Sequence, residues 1–341
     1  MLRRSTPRFQ NPDGSTVPGS IASLQAAEIG GVRQWVLVRG QDSTRPLLLF
    51  LHGGPGEGAI LYARQVQEEL ERAFLVANWD QRGAGLSYDP QIPLESMTVD
   101  RLVADTIEVS RMLLEQYGRR KLLLVGHSWG TILGILAAQR APELYLAYVG
   151  AGQVVDAEES ERRMYAWAVA EARGRAMERA VRELEAIGAP PYASVRGFRL
   201  ARRWVARLGG VARPGVERSM AWRSIAHLRE YTLGDLVRWS RGVSFSARTL
   251  VPEAGSTDLP RRVTALKIPT YFLSGRSDRV CDPWLAREYL RVLDAPRKAW
   301  AWVDDAAHLV PFEEPAEFAG AMAHFEVEAR LPDAPAWSVA G

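Results

Sequence analysis

Leu122-Leu-Leu-Val-Gly-His-Ser-Trp-Gly-Thr-Ile-Leu-Gly-Ile-Leu-Ala-Ala-Gln139 is the stretch that decides the fold. Its first four residues predict a buried strand, and Thr131–Gln139 predicts a helix. Between them Gly126-His-Ser-Trp-Gly130 fits G-x-S-x-G, which in this context forces Ser128 onto a tight strand-to-helix turn with its Oγ exposed. The flanking glycines permit the close backbone approach that such a turn requires. An ordinary glycine-rich turn capped by Ser128 is the competing reading, and the strand and helix on either side count against it.

Working outward, short apolar runs alternate with helical patterns from Gly31 to Gly150, the signature of βαβ units and a mainly parallel sheet. Strands are expected at Val32–Arg39, Pro46–His52, Phe74–Trp79, Lys121–Gly126 and Leu146–Gly150, with a helix over Thr98–Tyr117 capped by Thr98. The same texture returns near the C-terminus, with strands at Thr270–Leu273 and Ala299–Val303 and a helix at Pro283–Leu293. The stretch between differs. Ser160–Ile187 is rich in Ala, Glu and Arg without an internal proline, which predicts one helix stopped by Gly188-Ala-Pro-Pro191. Shorter helical pieces carrying Trp204, Trp222 and Trp239 follow it. The expected division is therefore a discontinuous α/β domain, 21–153 and 263–341, split by a helical cap at 154–262, with 1–20 as an N-terminal extension and a loose tail after Leu331.

Charge follows the same division. The chain of 341 residues carries a formal net charge of +3. Between Val154 and Arg262, however, 20 arginines face 13 acids. A hydrophobic fraction of 47% with 24% charged residues is that of an ordinary globular chain rather than a disordered or fibrous one. The longest aliphatic run, Leu47–Leu51, is strand-sized, so no membrane span is expected. One cysteine, Cys281, excludes an internal disulfide and a multi-cysteine zinc site. The first 20 residues lack the apolar core of a signal peptide, which makes the cytoplasm the expected compartment. No recognised nucleic-acid motif or Lys-rich tract is present, and neither cofactor nor metal is expected.

A serine hydroxyl is a poor nucleophile near neutral pH, so Ser128 requires a base, and the base an orienting acid. His308 is the best of five histidines, lying in a loop after the last predicted strand. His127 should point away from the nucleophile, His52 opens a glycine loop, and His227 and His324 suit packing roles. Asp278, in the sheet-end loop Gly275-Arg-Ser-Asp278, is preferred as the acid over Asp282, Asp304 and Asp305. Two backbone N–H donors must meet the tetrahedral oxyanion. Trp129 should supply one, and Gly54 or Gly53 of His52-Gly-Gly-Pro-Gly56 the other. That loop lacks the G-K-[ST] ending of a nucleotide site.

Taken together, His52-Gly-Gly-Pro-Gly56, Trp79-Asp-Gln-Arg-Gly-Ala-Gly-Leu-Ser87, Gly126-His-Ser-Trp-Gly130, Gly275-Arg-Ser-Asp278 and His308 before Phe312-Glu-Glu-Pro315 resemble the proline iminopeptidase branch of the α/β-hydrolase superfamily. The resemblance covers roughly 21–153 and 264–330. It implies a mainly parallel eight-stranded sheet flanked by helices, a helical cap, and a serine peptidase releasing N-terminal proline or another small residue from short peptides. It implies Ser128 as nucleophile, His308 as base, Asp278 as orienter, and Asp80-Gln-Arg-Gly83 as a structural loop near the site. Such enzymes bind the substrate amine with cap acids, for which Asp156, Glu158, Glu159 and Glu161 are the candidates; charges favoured at a helix N-terminus explain them equally well. An esterase, lactonase or amide hydrolase using the same triad remains the alternative, and a non-catalytic binding protein is disfavoured by the intact triad. Epoxide hydrolases and dehalogenases of this fold require an aspartate where Ser128 stands.

Overall fold

The computed structural model describes residues 4–192, 194–226, 228–331 and 338–339. Its sheet is built from β1 (Ile21–Ile29), β2 (Val32–Gly40), β3 (Leu47–Leu51), β4 (Leu75–Asp80), β5 (Leu122–His127), β6 (Tyr145–Ala151), β7 (Thr270–Gly275), β8 (Lys298–Val303) and the two-residue β9 (Ser338–Val339). Their order is β1-β2-β4-β3-β5-β6-β7-β8-β9. β2 pairs antiparallel with both β1 and β4, and every other pairing is parallel. The expected eight-stranded sheet is thus present, lengthened at one edge by β9 in a tail expected to be loose; residues 332–337 of that tail, like His227, lie outside the described residues.

β1 has no counterpart among the strands located from sequence. Its residues, Ile-Ala-Ser-Leu-Gln-Ala-Ala-Glu-Ile, are poor strand formers and mostly half-buried. Pairing imposes the extended form: Gly30 and Gly31, both at positive φ, close a two-residue hairpin that registers Ile29 on Val32 and Ile21 on Gly40.

Successive side chains of β3 alternate between two cores, as the two-residue period of a strand requires. Leu47, Leu49 and Leu51 pack with the helices Val99–Gln116, Trp129–Arg140 and Pro283–Val292. Leu48 and Phe50 face the helices Glu68–Ala73 and Pro315–Arg330 on the other side. Thr98 caps the first of these helices, its hydroxyl accepting from Arg101 N–H.

Between β6 and β7 the chain forms the helices Ala157–Gly174, Glu178–Ile187, Val195–Leu208, Val216–Ala226, Leu233–Ala254 and Leu259–Arg262. The single helix expected over Ser160–Ile187 is broken: Ala176 takes φ 52°, and Met177 N–H closes on Ala172 O. The turn folds the second helix back, so that Met164, Ala168 and Ala172 pack with Ala180, Leu184, Trp204 and Leu208 in a core of their own. Burial of that seam outweighs the local helical propensity. The helix carrying Trp239, expected to be short, runs for 22 residues and packs on the sheet domain, where Ser246 Oγ donates to Gly83 O. The chain enters and leaves this insertion at one place: Asp156 and Asp258 form an antiparallel bridge, flanked by Ala157 N–H to Thr257 O at 3.0 Å and Leu259 N–H to Val155 O at 2.9 Å. The N-terminal segment straps across the same side, with Arg4 on Asp235 at 2.6 Å and Thr6 Oγ1 donating to Glu230 at 2.7 Å.

Candidate active site

β5 ends at His127, and the chain turns at Ser128 with φ 52° and ψ −123° before the helix Trp129–Arg140 starts. A non-glycine residue in that region costs of order 1–3 kcal/mol and persists where its surroundings over-determine it. Here Ser128 N–H donates to Ala151 O at 3.0 Å, while Ser128 O accepts from Thr131 N–H and Oγ1 at 2.8 and 2.6 Å. The glycines of the motif have a steric reason. A Cβ on Gly126 would lie 2.6 Å from Gly130 O, and one on Gly130 would lie 2.2 Å from Leu51 O.

Ser128, His308 and Asp278 are brought together in one hydrogen-bonded chain. His308 Nε2 lies 2.8 Å from Ser128 Oγ, and His308 Nδ1 lies 2.9 Å from Asp278 Oδ2. Because a carboxylate only accepts, Nδ1 carries the proton and Nε2 is left to accept from the serine. Asp278 is buried, and its Oδ1 accepts from Val280 N–H at 2.8 Å and Cys281 N–H at 2.9 Å, fixing the carboxylate. The rival acids are occupied elsewhere. Asp282 caps the helix Pro283–Val292, Asp304 pairs with Arg276, and Asp305 is exposed.

The His308 loop is held from three sides. His127 does not reach Ser128 Oγ; its Nε2–H donates to His308 O at 2.9 Å. Burial first, then the nearby His308, drives the His127 pKa down to about 3, so the ring is neutral. Glu313, whose carboxylate is fully buried, accepts from Ala307 and Leu309 N–H through Oε1 and from Arg213 N–H through Oε2. His308 N–H itself donates to Val211 O, 2.9 Å away in the insertion. Neither His127 nor Glu313 carries a sequence signal for this role beyond its place beside a motif.

The His52–Gly56 loop passes close to Ser128: a Cβ on Gly53 would sit 3.2 Å from Ser128 Cβ. Among the described residues no hydrogen bond engages Gly54 N–H, and Trp129, first in its helix, has an N–H without an intrahelical acceptor. Gln81 ties the two together, its Nε2 donating to His52 O at 3.1 Å and its Oε1 accepting from the Trp129 indole at 2.9 Å. His52 is buried and neutral, its pKa pushed down to about 4 by burial, and its Nε2 accepts from Gln81 N–H at 3.2 Å. The rest of Asp80-Gln-Arg-Gly83 is scaffolding. Asp80 accepts from Ile60 N–H, Leu86 N–H and the Tyr231 hydroxyl, and burial raises its pKa to about 6. Arg82 is buried against Asp105 at 2.8 Å. His324 is exposed on the last helix, 3.7 Å from Glu328.

The glutamates offered as partners for a substrate amine each have an arginine partner. Asp156 caps the helix Ala157–Gly174, and Glu158 and Glu159 fill its first turn, where arginines at the next turn neutralise them. Glu161 pairs with Arg202 at 2.6 Å through Oε2, while its buried Oε1 has no hydrogen-bond partner among the described residues. Another acid interacts electrostatically with His308. Glu57, directly after the His52–Gly56 loop, is solvent-accessible. Its carboxyl is raised above the ordinary value, chiefly by the protein that walls it in; the charge of His308 opposes this and that of Glu217 adds to it. Position beside the glycine loop is the signal that could have singled out Glu57; Glu217, on a distant helix, offers none.

Among the described residues no group of three or more His, Cys, Asp or Glu could hold a metal, and no helix is long and apolar enough to cross a membrane. A serine on a strained strand-to-helix turn of a mainly parallel sheet, bonded through a histidine to a buried aspartate, defines an α/β-hydrolase. Residues 42–315 match the family model described as serine aminopeptidase, S33, and the chain belongs to that family. It is 34% identical over 307 residues to a probable aminopeptidase, YbaC, of Bacillus subtilis (strain 168), spanning 89% of this chain and 96% of that protein. It is also 25% identical over 340 residues to epoxide hydrolase A of Mycobacterium tuberculosis, spanning 87% of this chain and 95% of that protein. Among solved structures, a proline iminopeptidase-related protein from Thermus thermophilus superposes with a TM-score of 0.64 at 21% identity, over 91% of this chain and 98% of that one; this likeness speaks to fold alone.

Proposed function

We propose that this serine hydrolase is an aminopeptidase that releases N-terminal proline or another small residue from short peptides through an acyl-enzyme intermediate. The observation that carries the proposal is the hydrogen-bonded chain from Ser128 Oγ through His308 to Asp278, at 2.8 and 2.9 Å, in a member of the serine aminopeptidase family; Glu57, next to the glycine loop, is the acid offered to the substrate amine. In this mechanism Ser128 Oγ attacks the carbonyl carbon of the first residue while His308 Nε2 takes the hydroxyl proton. Asp278 steadies the imidazolium, and the N–H groups of Trp129 and of Gly54, or of its neighbour Gly53, receive the oxyanion. Collapse breaks the C–N bond, and His308 passes its proton to the departing amine. Water, activated by His308, then hydrolyses the ester and frees Ser128. The helices from Ala157 to Ala226 act as a cap that admits short chains.

The test is a parallel panel: prolyl and alanyl p-nitroanilides, their N-acetylated forms, and p-nitrophenyl acetate, with wild type, Ser128→Ala and Glu57→Gln. Free-amine anilides should be cleaved and acetylated ones not. Ser128→Ala should abolish turnover, and Glu57→Gln should raise KM for free-amine substrates about tenfold, the loss of one charge-assisted contact. Rapid ester hydrolysis with no anilide release would replace this reading with the esterase one.

A further inference from the structure

A cleft of about 950 Å³ opens beside the triad, between the insertion and the ends of the sheet strands. Ser277 and Ala307 line it, each adjacent in sequence to a triad member, Asp278 or His308. Five arginines line it as well: Arg175, Arg207, Arg213, Arg218 and Arg279. Two are neutralised, Arg175 by Glu171 at 2.6 Å and Arg213 by Glu313 and Glu314. For the other three, no carboxylate among the described residues lies within 4.0 Å. Arg207 rests over the Trp204 ring at 5.1 Å and Arg279 over the Trp167 ring at 5.4 Å. Such stacking occupies the guanidinium face and leaves its N–H edge free to bind an anion.

The contrast with the neighbouring helices matters. From Ala157 to Ile187 every arginine, namely 162, 163, 173, 175, 179 and 182, has a glutamate partner. At this cleft the unpaired positive charge is carried by three guanidinium groups, those of Arg207, Arg218 and Arg279. Glu217 lines the same cleft, and its charge reaches Glu57, which in turn feels His308. The cleft thus holds one carboxylate unpaired among the described residues, Glu217, beside its arginines, Glu171 being paired with Arg175.

We infer that Arg207, Arg218 and Arg279 bind a carboxylate on the leaving side of the substrate, so that the cleft selects short peptides ending in a free C-terminal carboxylate. The inference rests on the aminopeptidase reading for the direction of the chain: the ammonium sits with Glu57, and the part released by C–N cleavage points to the arginines. The guanidinium fork matches carboxylate and phosphate alike. A peptide carboxylate is the anion that this reaction supplies.

The test compares kcat/KM for Pro-Ala-Ala with a free carboxylate and for the same tripeptide amidated, in wild type and in the triple variant Arg207→Gln, Arg218→Gln, Arg279→Gln. Wild type should favour the acid at least tenfold at low ionic strength, and the triple variant should bring that ratio toward one. Equal use of acid and amide by wild type overturns the inference while leaving the aminopeptidase reading in place. Calorimetric titration of Ser128→Ala with the acid peptide, the amide peptide and inorganic phosphate supplies a readout free of turnover. Binding of the acid peptide that is tenfold weaker in the added triple variant upholds the cleft even if no peptide is cleaved. Binding of phosphate in preference to the acid peptide, or of neither, overturns it. Thermal melts of the triple variant, whose substitutions lie at exposed or half-exposed positions, check that it folds.

Discussion

Asp278→Asn offers the sharpest test of the hydrogen-bonded trio, because the structure dictates how an amide would sit there. Asp278 Oδ1 accepts from two backbone N–H groups, Val280 and Cys281, at 2.8 and 2.9 Å. Asparagine keeps those bonds only by placing its single carbonyl oxygen at that position. Its NH₂ then faces His308 Nδ1, where Asp278 Oδ2 now stands at 2.9 Å. A donor facing Nδ1 forces that nitrogen to accept and moves the ring proton to Nε2, 2.8 Å from Ser128 Oγ. The imidazole can no longer receive the serine proton. The expected loss is about 10³–10⁴-fold in kcat, or roughly 4–5.5 kcal/mol of transition-state stabilisation. KM should change little, and thermal stability should hold because both backbone donors stay satisfied. Steady-state hydrolysis of an activated anilide or ester measures the effect. Retention of kcat within tenfold of wild type would refute the tautomer argument and the role given to Asp278.

Two further outcomes test the scaffold. Arg82→Met leaves Asp105 buried without its main partner, at side-chain exposures of 1% and 0%, and should cost about 3–5 kcal/mol in urea unfolding; a loss below about 1 kcal/mol would show that Arg101 and Gln34 suffice for that carboxylate. His52 is neutral when folded, its pKa lowered from 6.5 to about 4, so the unfolded chain takes up the proton first and this residue's contribution is lost as pH falls below 6.5. His52→Gln, which can still accept from Gln81 N–H, should therefore lose less stability than wild type between pH 7.5 and 5.5, by about 1.4 kcal/mol in paired urea titrations, and identical pH slopes would contradict the burial-driven shift.

Local chemistry made much of this molecule legible. Gly126, Ser128 and Gly130 announce a turn that few other residues could make, and His308 and Asp278 stand in sheet-end loops where the strand pattern stops. Other features depend on partners far away in the chain. β1 is extended because β2 and the Gly30-Gly31 turn hold it so, against the preferences of its own alanines and glutamate. The break at Ala176 opposes a strong helical composition and exists because Ala172 and Ala180 must share one core. Glu57, Glu217 and Glu313 each look like ordinary surface charges until loops from three regions converge. Glu158, Glu159 and Glu161 suggested the reverse, a cluster near the site that helix capping and arginine pairing absorb.

The bridge between Asp156 and Asp258 has an evolutionary consequence. The chain departs and returns at a single pair of residues, yet the helical excursion between them is fastened at further points, where Ser246 donates to Gly83 O, Tyr231 to Asp80, and His308 N–H to Val211 O. Extending such an excursion costs closure entropy only as the logarithm of its length. Stretches of the excursion that make none of these contacts, such as the helix Glu178–Ile187, can therefore be lengthened or trimmed while the sheet on which Ser128, Asp278 and His308 meet keeps its register.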